Sequence, residues 1–194
     1  MLRPTAVEEI DELHEDLDLD IRHAARADMS TIADFIRSSA DWYREFVEEE
    51  DMSEHDVDAS WEEENFLRRH FFVGRTDEGE DVGTISMQFF GDVAYLGYIY
   101  LDVGHVGKGY GHELMTFAER VAREAGIRTM ILIAHPEAEW AKKAYLKYGF
   151  EIIETEPERI LAWRDGLLGP YYEQGFELYG YDLTREGRPS TTVG

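Results

Sequence analysis

Between Gly104 and Gly111 the chain reads Gly-His-Val-Gly-Lys-Gly-Tyr-Gly, four glycines around a single cation, Lys108. Glycines so spaced between a strand and a helix let successive backbone N–H groups point inward at the helix N-terminus, which makes an anion cradle. A flexible connection with no ligand is the competing use. Position 112 is His112, so G-x-G-x-x-G is not completed, and no G-x-x-x-x-G-K-[ST] occurs; a dinucleotide fold and a P-loop are both disfavoured. His135, just before Pro136, has a side chain suited to removing a proton near neutral pH, its reference pKa being ~6.5. Capping of the next helix is its other role. His14, His23, His55, His70, His105 and His112 show no metal-ligand spacing, no Ser-His-Asp arrangement can be inferred, and no metal is expected. The chain has no cysteine, which excludes a disulfide scaffold, a thiolate zinc site and a cysteine acyl-enzyme.

The elements around the loop follow from periodicity. Ile21 to Ala25 reads as a short strand, after which Asp28 caps a helix with Ile32, Phe35 and Ile36 on its apolar face. A second helix is predicted from about Trp61 to Arg69. Phe71 to Thr76 and Val82 to Phe90, joined at Asp77–Glu80, form a hairpin, and Gly91-Asp92 turns the chain into a third antiparallel strand, Val93 to Val103. Beyond the loop, Leu114, Phe117, Ala118, Val121 and Ala122 share one face of a helix that ends at Gly126. Thr129 to Ala134 is continuously apolar, as a strand covered on both faces requires, and the strand-helix-strand order makes it parallel to its predecessor. A helix from about Glu137 to Tyr148 and two strands, Glu151 to Trp163 and Phe176 to Leu183, complete the pattern. The expected organisation is an acidic arm over residues 1–20, one domain over 21–185 and a loose tail over 186–194. Val7 to Leu17 has apolar residues at helical spacing, which suits a short amphipathic helix or a solvated arm.

The 194 residues are 43% hydrophobic, enough for one core, and no apolar run approaches the ~20 residues that cross a bilayer. A soluble, cytoplasmic protein is the expectation. Against 42 Asp plus Glu stand 19 Lys plus Arg, a formal net charge of −23 that repels nucleic acid and anionic membranes, so neither is an expected partner. With only Lys108, Lys142, Lys143 and Lys147 as lysines, the composition resembles that of halophilic proteins, whose self-repulsion is screened by molar salt.

Ile99 to Met115, centred on the glycine loop, resembles the acetyl-CoA-binding segment of the GCN5-related N-acetyltransferase (GNAT) family. Ala141-Lys-Lys-Ala-Tyr-Leu-Lys-Tyr-Gly-Phe resembles that family's later helix, with a tyrosine followed four residues on by Gly-Phe, and the likeness covers roughly Asp20 to Leu183. The resemblance implies an α/β (α+β) fold: a mixed, mostly antiparallel sheet with one parallel, splayed strand pair and helices on both faces. It implies acetyl-CoA as cosubstrate, entering the gap between Val93–Val103 and Thr129–Ala134. Backbone groups of Leu101 and Val103 would pair with pantetheine, the amides of Val106, Gly107, Lys108, Gly109, Tyr110, Gly111 and His112 would receive the pyrophosphate, and Ala138, Ala141 and Tyr145 would flank the cofactor from the later helix.

By that match Tyr145 is the acid. A phenol of pKa near ~10 stays protonated at neutral pH and can hydrogen-bond a departing thiolate. The base is open between His135 and a water chain to an acidic residue. The chain departs from the family at Val106, where Arg or Gln is usual, at Ala138, where Asn is common, and at Gly97, where a Glu often serves as base. The implied reaction is direct acetyl transfer to the primary amine of a small molecule or peptide, the alternative being a non-catalytic acyl-CoA-binding module. Tyr98 and Tyr100 are acceptor-site walls or sheet packing. Trp163, Tyr171, Tyr172, Phe176 and Tyr179 line an acceptor pocket, form a homodimer interface or pack in the core.

Overall fold

The computed structural model describes residues 18–43 and 57–185; the helix expected over Val7–Leu17, most of the acidic arm and the 186–194 tail lie outside them. Seven strands, β1 Asp20–His23, β2 His70–Arg75, β3 Asp81–Phe90, β4 Val93–Leu101, β5 Thr129–Ala134, β6 Glu151–Glu154 and β7 Glu177–Asp182, form one sheet in the order β1-β2-β3-β4-β5-β7-β6. Among the described residues five helices accompany it: α1 Met29–Tyr43, α2 Ala59–Arg68, α3 Tyr110–Glu124, α4 Glu139–Tyr148 and α5 Pro157–Ala162. Every strand pair is antiparallel except β4 and β5. No helix among the described residues is long and apolar enough to cross a membrane.

Alternation along β2 assigns the faces, because successive side chains point to opposite sides of a strand. Phe72 packs with Leu114, Phe117 and Ala118 of α3, while Phe71 and Val73 pack with Ile32, Ala33 and Ile36 of α1. Phe117 and Phe72 are fully buried with their rings 5.0 Å apart. Burying a side chain of this size contributes about 1.5–3 kcal/mol. Across β4 and β5, Val93, Tyr95 and Ile131 face Ile160 of α5. Helices therefore cover both faces.

The parallel pair is short. Val93, Ala94 and Tyr95 lie beside Thr129, Met130 and Ile131, and there the pairing stops, although both strands continue. A β-bulge in β4 coincides with this opening: Thr84 faces Tyr100 but Ser86 faces Gly97, so two steps on β3 span three on β4. The extra residue bends the strand and increases its twist. Tyr98, within the bulge, has φ +46°, an unfavourable conformation for a bulky residue that the surrounding structure must hold. Trp61 supplies that hold, donating from Nε1 to Tyr98 Oη at 3.1 Å with the two rings 5.2 Å apart.

Four local expectations are corrected. Asp28 lies in the 3-10 turn before α1, where it accepts the Ala25 N–H at 2.7 Å and both guanidinium arms of Arg22 at 2.7 and 2.8 Å instead of capping α1 directly. β4 ends at Leu101 and not at Val103, because Asp102 folds the chain into a 3-10 turn over Val103–His105. α4 begins at Glu139, two residues late. The long strand predicted over 151–163 stops at Glu154, whose carboxylate accepts the Thr155 and Glu156 N–H groups, and Pro157, with no N–H to donate, opens α5.

On β2, burial first and neighbouring His23 second hold the half-buried His70 imidazole below its ordinary value. Between that lowered value and ~6.5 the unfolded chain binds more protons than the folded one, so stability falls as pH drops through this window. Thermal melts between roughly pH 7 and 5 should show a falling Tm. His70→Phe should flatten the decline.

Candidate active site

The glycine loop is shaped by what precedes it. Asp102 Oδ1 accepts the Gly104 N–H at 3.0 Å and its carbonyl accepts the His105 N–H at 2.9 Å, so the chain leaves the sheet in one turn. Gly107 and Gly109 then take φ +86° and +95°, and a Cβ at either would meet nothing within 4 Å: both face open space. The N–H groups of Gly107, Lys108, Gly109, Tyr110 and Gly111 find no acceptor among the described residues. They lead into the positive N-terminus of α3, and Lys108 among them is exposed. The His112 N–H is not part of this set, since it already donates to Gly109 O at 2.9 Å, and the His112 ring lies 5.0 Å from that of Tyr148. Val103 sits in the 3-10 turn and offers no continuation of the strand. Leu101 does: the Asp102 N–H donates to Val82 O, so by antiparallel alternation the Leu101 N–H points away from β3, into the gap that β5 no longer fills.

That gap is a cleft. Leu132, Ala134, Ala138, Ala141 and Tyr145 line it from the face that carries α3 and α4. The alanines leave room in front of Tyr145. The Tyr-x-x-x-Gly-Phe spacing has a backbone cause: Tyr145 O accepts both the Gly149 N–H at 3.1 Å and the Phe150 N–H at 3.0 Å, with Gly149 at φ +122°. The Tyr145 ring rests on Tyr179 at 5.7 Å and Phe150 at 6.2 Å. Tyr148 and Tyr179 are committed elsewhere, donating to Glu119 at 2.6 Å and Glu177 at 2.8 Å; burial first, then those carboxylates, pushes both phenols above their ordinary range. His135 also lines the cleft, its ring edge-on to Phe176, but its Nδ1 accepts the Glu137 N–H at 3.3 Å and its carbonyl accepts the Ala138 N–H at 3.1 Å.

The opposite wall is built from Arg69, Tyr95, Tyr98 and Tyr171. The Arg69 guanidinium lies 4.7 Å from the Tyr98 ring centre, 5.2 Å from that of Tyr171 and 5.8 Å from that of Tyr95. Its Nε donates to Asn65 Oδ1 at 3.0 Å. Gly97 makes way for it: a Cβ at that position would stand 2.8 Å from Arg69 Nη1.

The sequence profile of the acetyltransferase (GNAT) family matches residues 34–150. The chain belongs to that family. The spermidine N(1)-acetyltransferase of Thermoplasma acidophilum is 22% identical over 149 residues, 72% of this chain and 92% of that protein. Among solved structures, a Thermoplasma acidophilum N-acetyltransferase in complex with coenzyme A superposes with a TM-score of 0.63 at 19% identity, covering 86% of this chain and 99% of the other. A GNAT-family acetyltransferase from Staphylococcus aureus gives 0.63 at 17% identity, covering 85% and 99%. The protein is an acetyl-CoA-dependent N-acetyltransferase, with the mixed sheet of that fold.

In this acetyltransferase the cleft brings together Ala138, Ala141, Tyr145 and His135, while Leu101 at the end of β4 and the loop from Gly107 to Gly111 lie outside its lining, Val103 sits in the 3-10 turn and the His112 amide is spent on Gly109. Val106 is exposed beside the loop. The aromatic group divides: Tyr171 and Phe176 reach the cleft, Trp163 and Tyr172 pack with α5, and Tyr179 is fully buried. Sequence reasoning missed Arg69. Its only signal was a cation directly after an amphipathic helix, and the partners that give it meaning are far away in the chain.

Proposed function

We propose that the acetyltransferase moves the acetyl group directly to the primary amine of a small molecule, both substrates being held in the β4/β5 gap. The observation that carries this reading is the position of Tyr145, which lines the gap left where the short β4/β5 pairing stops, with the glycine loop following the end of β4. When bound, acetyl-CoA supplies a thioester carbonyl open to attack and a thiol that leaves. The chain's own residues divide the remaining work. The amides of Gly107 to Gly111 and Lys108 hold the diphosphate, Leu101 N–H donates toward the acyl end, and Tyr145 Oη gives its proton to the departing sulfur. His135 serves as wall and cap, its Nδ1 engaged by the Glu137 N–H and its carbonyl by the Ala138 N–H. The amine's proton passes to solvent.

Initial-rate kinetics with an amine panel, following free thiol, test this. Thiol release should require an amine, and double-reciprocal lines should intersect. Parallel lines would point to a covalent acyl-enzyme. Acetyl-CoA binding without turnover of any amine would leave a non-catalytic acyl-CoA-binding module.

A further inference from the structure

Arg69 is distinctive by what it lacks. Elsewhere on this acidic chain arginines hold carboxylates: Arg22, Arg75, Arg123 and Arg164 each meet one at 2.7–2.8 Å. Arg69 is half-buried in the cleft, donates only through Nε, and bridges to no carboxylate among the described residues, not even Glu173 on the same cleft. Three tyrosine faces hold the guanidinium in place without neutralising it or spending its Nη donors. Gly97 keeps the nearest strand position free of any side chain that could compete. Tyr171 adds a second donor, since its Oη accepts from Gln88 Nε2 at 3.1 Å and retains its own hydrogen.

A planar cation so fixed, with its fork unspent, is a carboxylate receptor. It is also a barrier to polyamines. The aromatic faces that would receive an alkylammonium are already occupied by Arg69, and a second cation would meet like charge in a partly desolvated site.

We propose that Arg69 binds the carboxylate of the acceptor, so that the amine acetylated here belongs to an amino acid and not to a polyamine. This rests on the acetyltransferase reading, because Arg69 and Tyr145 line one cleft from opposite faces of the sheet.

The test separates binding from turnover. Calorimetry on the coenzyme A-saturated protein would compare N-acetylated glycine, phenylalanine, glutamate and lysine with their C-terminal amides, while kinetics compares the free amino acids, their amides and spermidine. At least one carboxylate should bind about tenfold or more tighter than its amide, as loss of a charge-assisted pair requires, with kcat/KM following. Arg69→Gln should erase the preference and leave the rise in Tm caused by coenzyme A unchanged. Equal binding of acids and amides, no binding of any derivative, a preference that survives Arg69→Gln, or efficient turnover of spermidine without amino acids would overturn the assignment. The wild-type comparison stands without the variant. A carboxylate preference without turnover of any amine would remove the transfer reading and leave Arg69 as a carboxylate site.

Discussion

Replacing Tyr145 by Phe should lower kcat on the order of 10²-fold and leave the KM for acetyl-CoA nearly unchanged, the pattern of a group that acts in the transition state and not in binding. The packing around the ring and the backbone survives this substitution. The ring contacts with Tyr179 and Phe150 are kept, and the two amides that fix this end of α4 donate to the Tyr145 backbone carbonyl, which the change does not touch. Tyr148 and Tyr179 cannot take over, since both hydroxyl hydrogens are given to carboxylates. Steady-state kinetics on the best amine, with melting curves on both proteins, decide the matter. A tyrosine with only a packing role would lower Tm and leave kcat near its original value. Full kcat with full Tm would give the proton to solvent.

What the sequence disclosed and what it hid divide along one physical line. Regularities repeated within a few residues were readable. The buried face of α3 was visible from Leu114 to Ala122, and the unbroken apolar run of β5 revealed a strand covered on both sides and parallel to β4. The glycine-rich turn was visible from composition, and two of its four glycines, Gly107 and Gly109, take the positive φ that favours glycine. The bulge in β4 was not, since Tyr98 takes φ +46° without the Gly or Asn that advertises such a position. Its support, Trp61, comes from a helix well before it in the chain. Arg69 was hidden for the same reason: its meaning depends on Tyr95, Tyr98, Gly97 and Tyr171, which only the fold assembles. The strand drawn over 151–163 failed on a local cue misweighted, for Pro157 suits the first turn of a helix better than the middle of a strand. The exchange of Arg or Gln for Val106 remains compatible with a cofactor site because the neighbouring donors are backbone amides.

The loop itself is tested by Gly109→Val, for which acetyl-CoA affinity should fall about a hundredfold or more while the fold persists. Nothing in the protein lies within 4 Å of the added Cβ, so the loss does not come from a clash within the chain. It comes from two other causes. A β-branched residue at φ +95° is strained by about 1–3 kcal/mol, which the loop relieves by turning its N–H groups out of register. The side chain also projects into the open space that the diphosphate must enter. Gly79→Val is the matched control: φ is +87°, nothing lies within 4 Å, and the residue sits in the β2–β3 turn. It should incur a similar loss of stability with acetyl-CoA affinity intact. Calorimetry and melting curves on the two variants separate strain from cofactor contact. If Gly109→Val binds acetyl-CoA as tightly as Gly79→Val does, the diphosphate is held elsewhere and the amides of Gly107 to Gly111 are not its cradle.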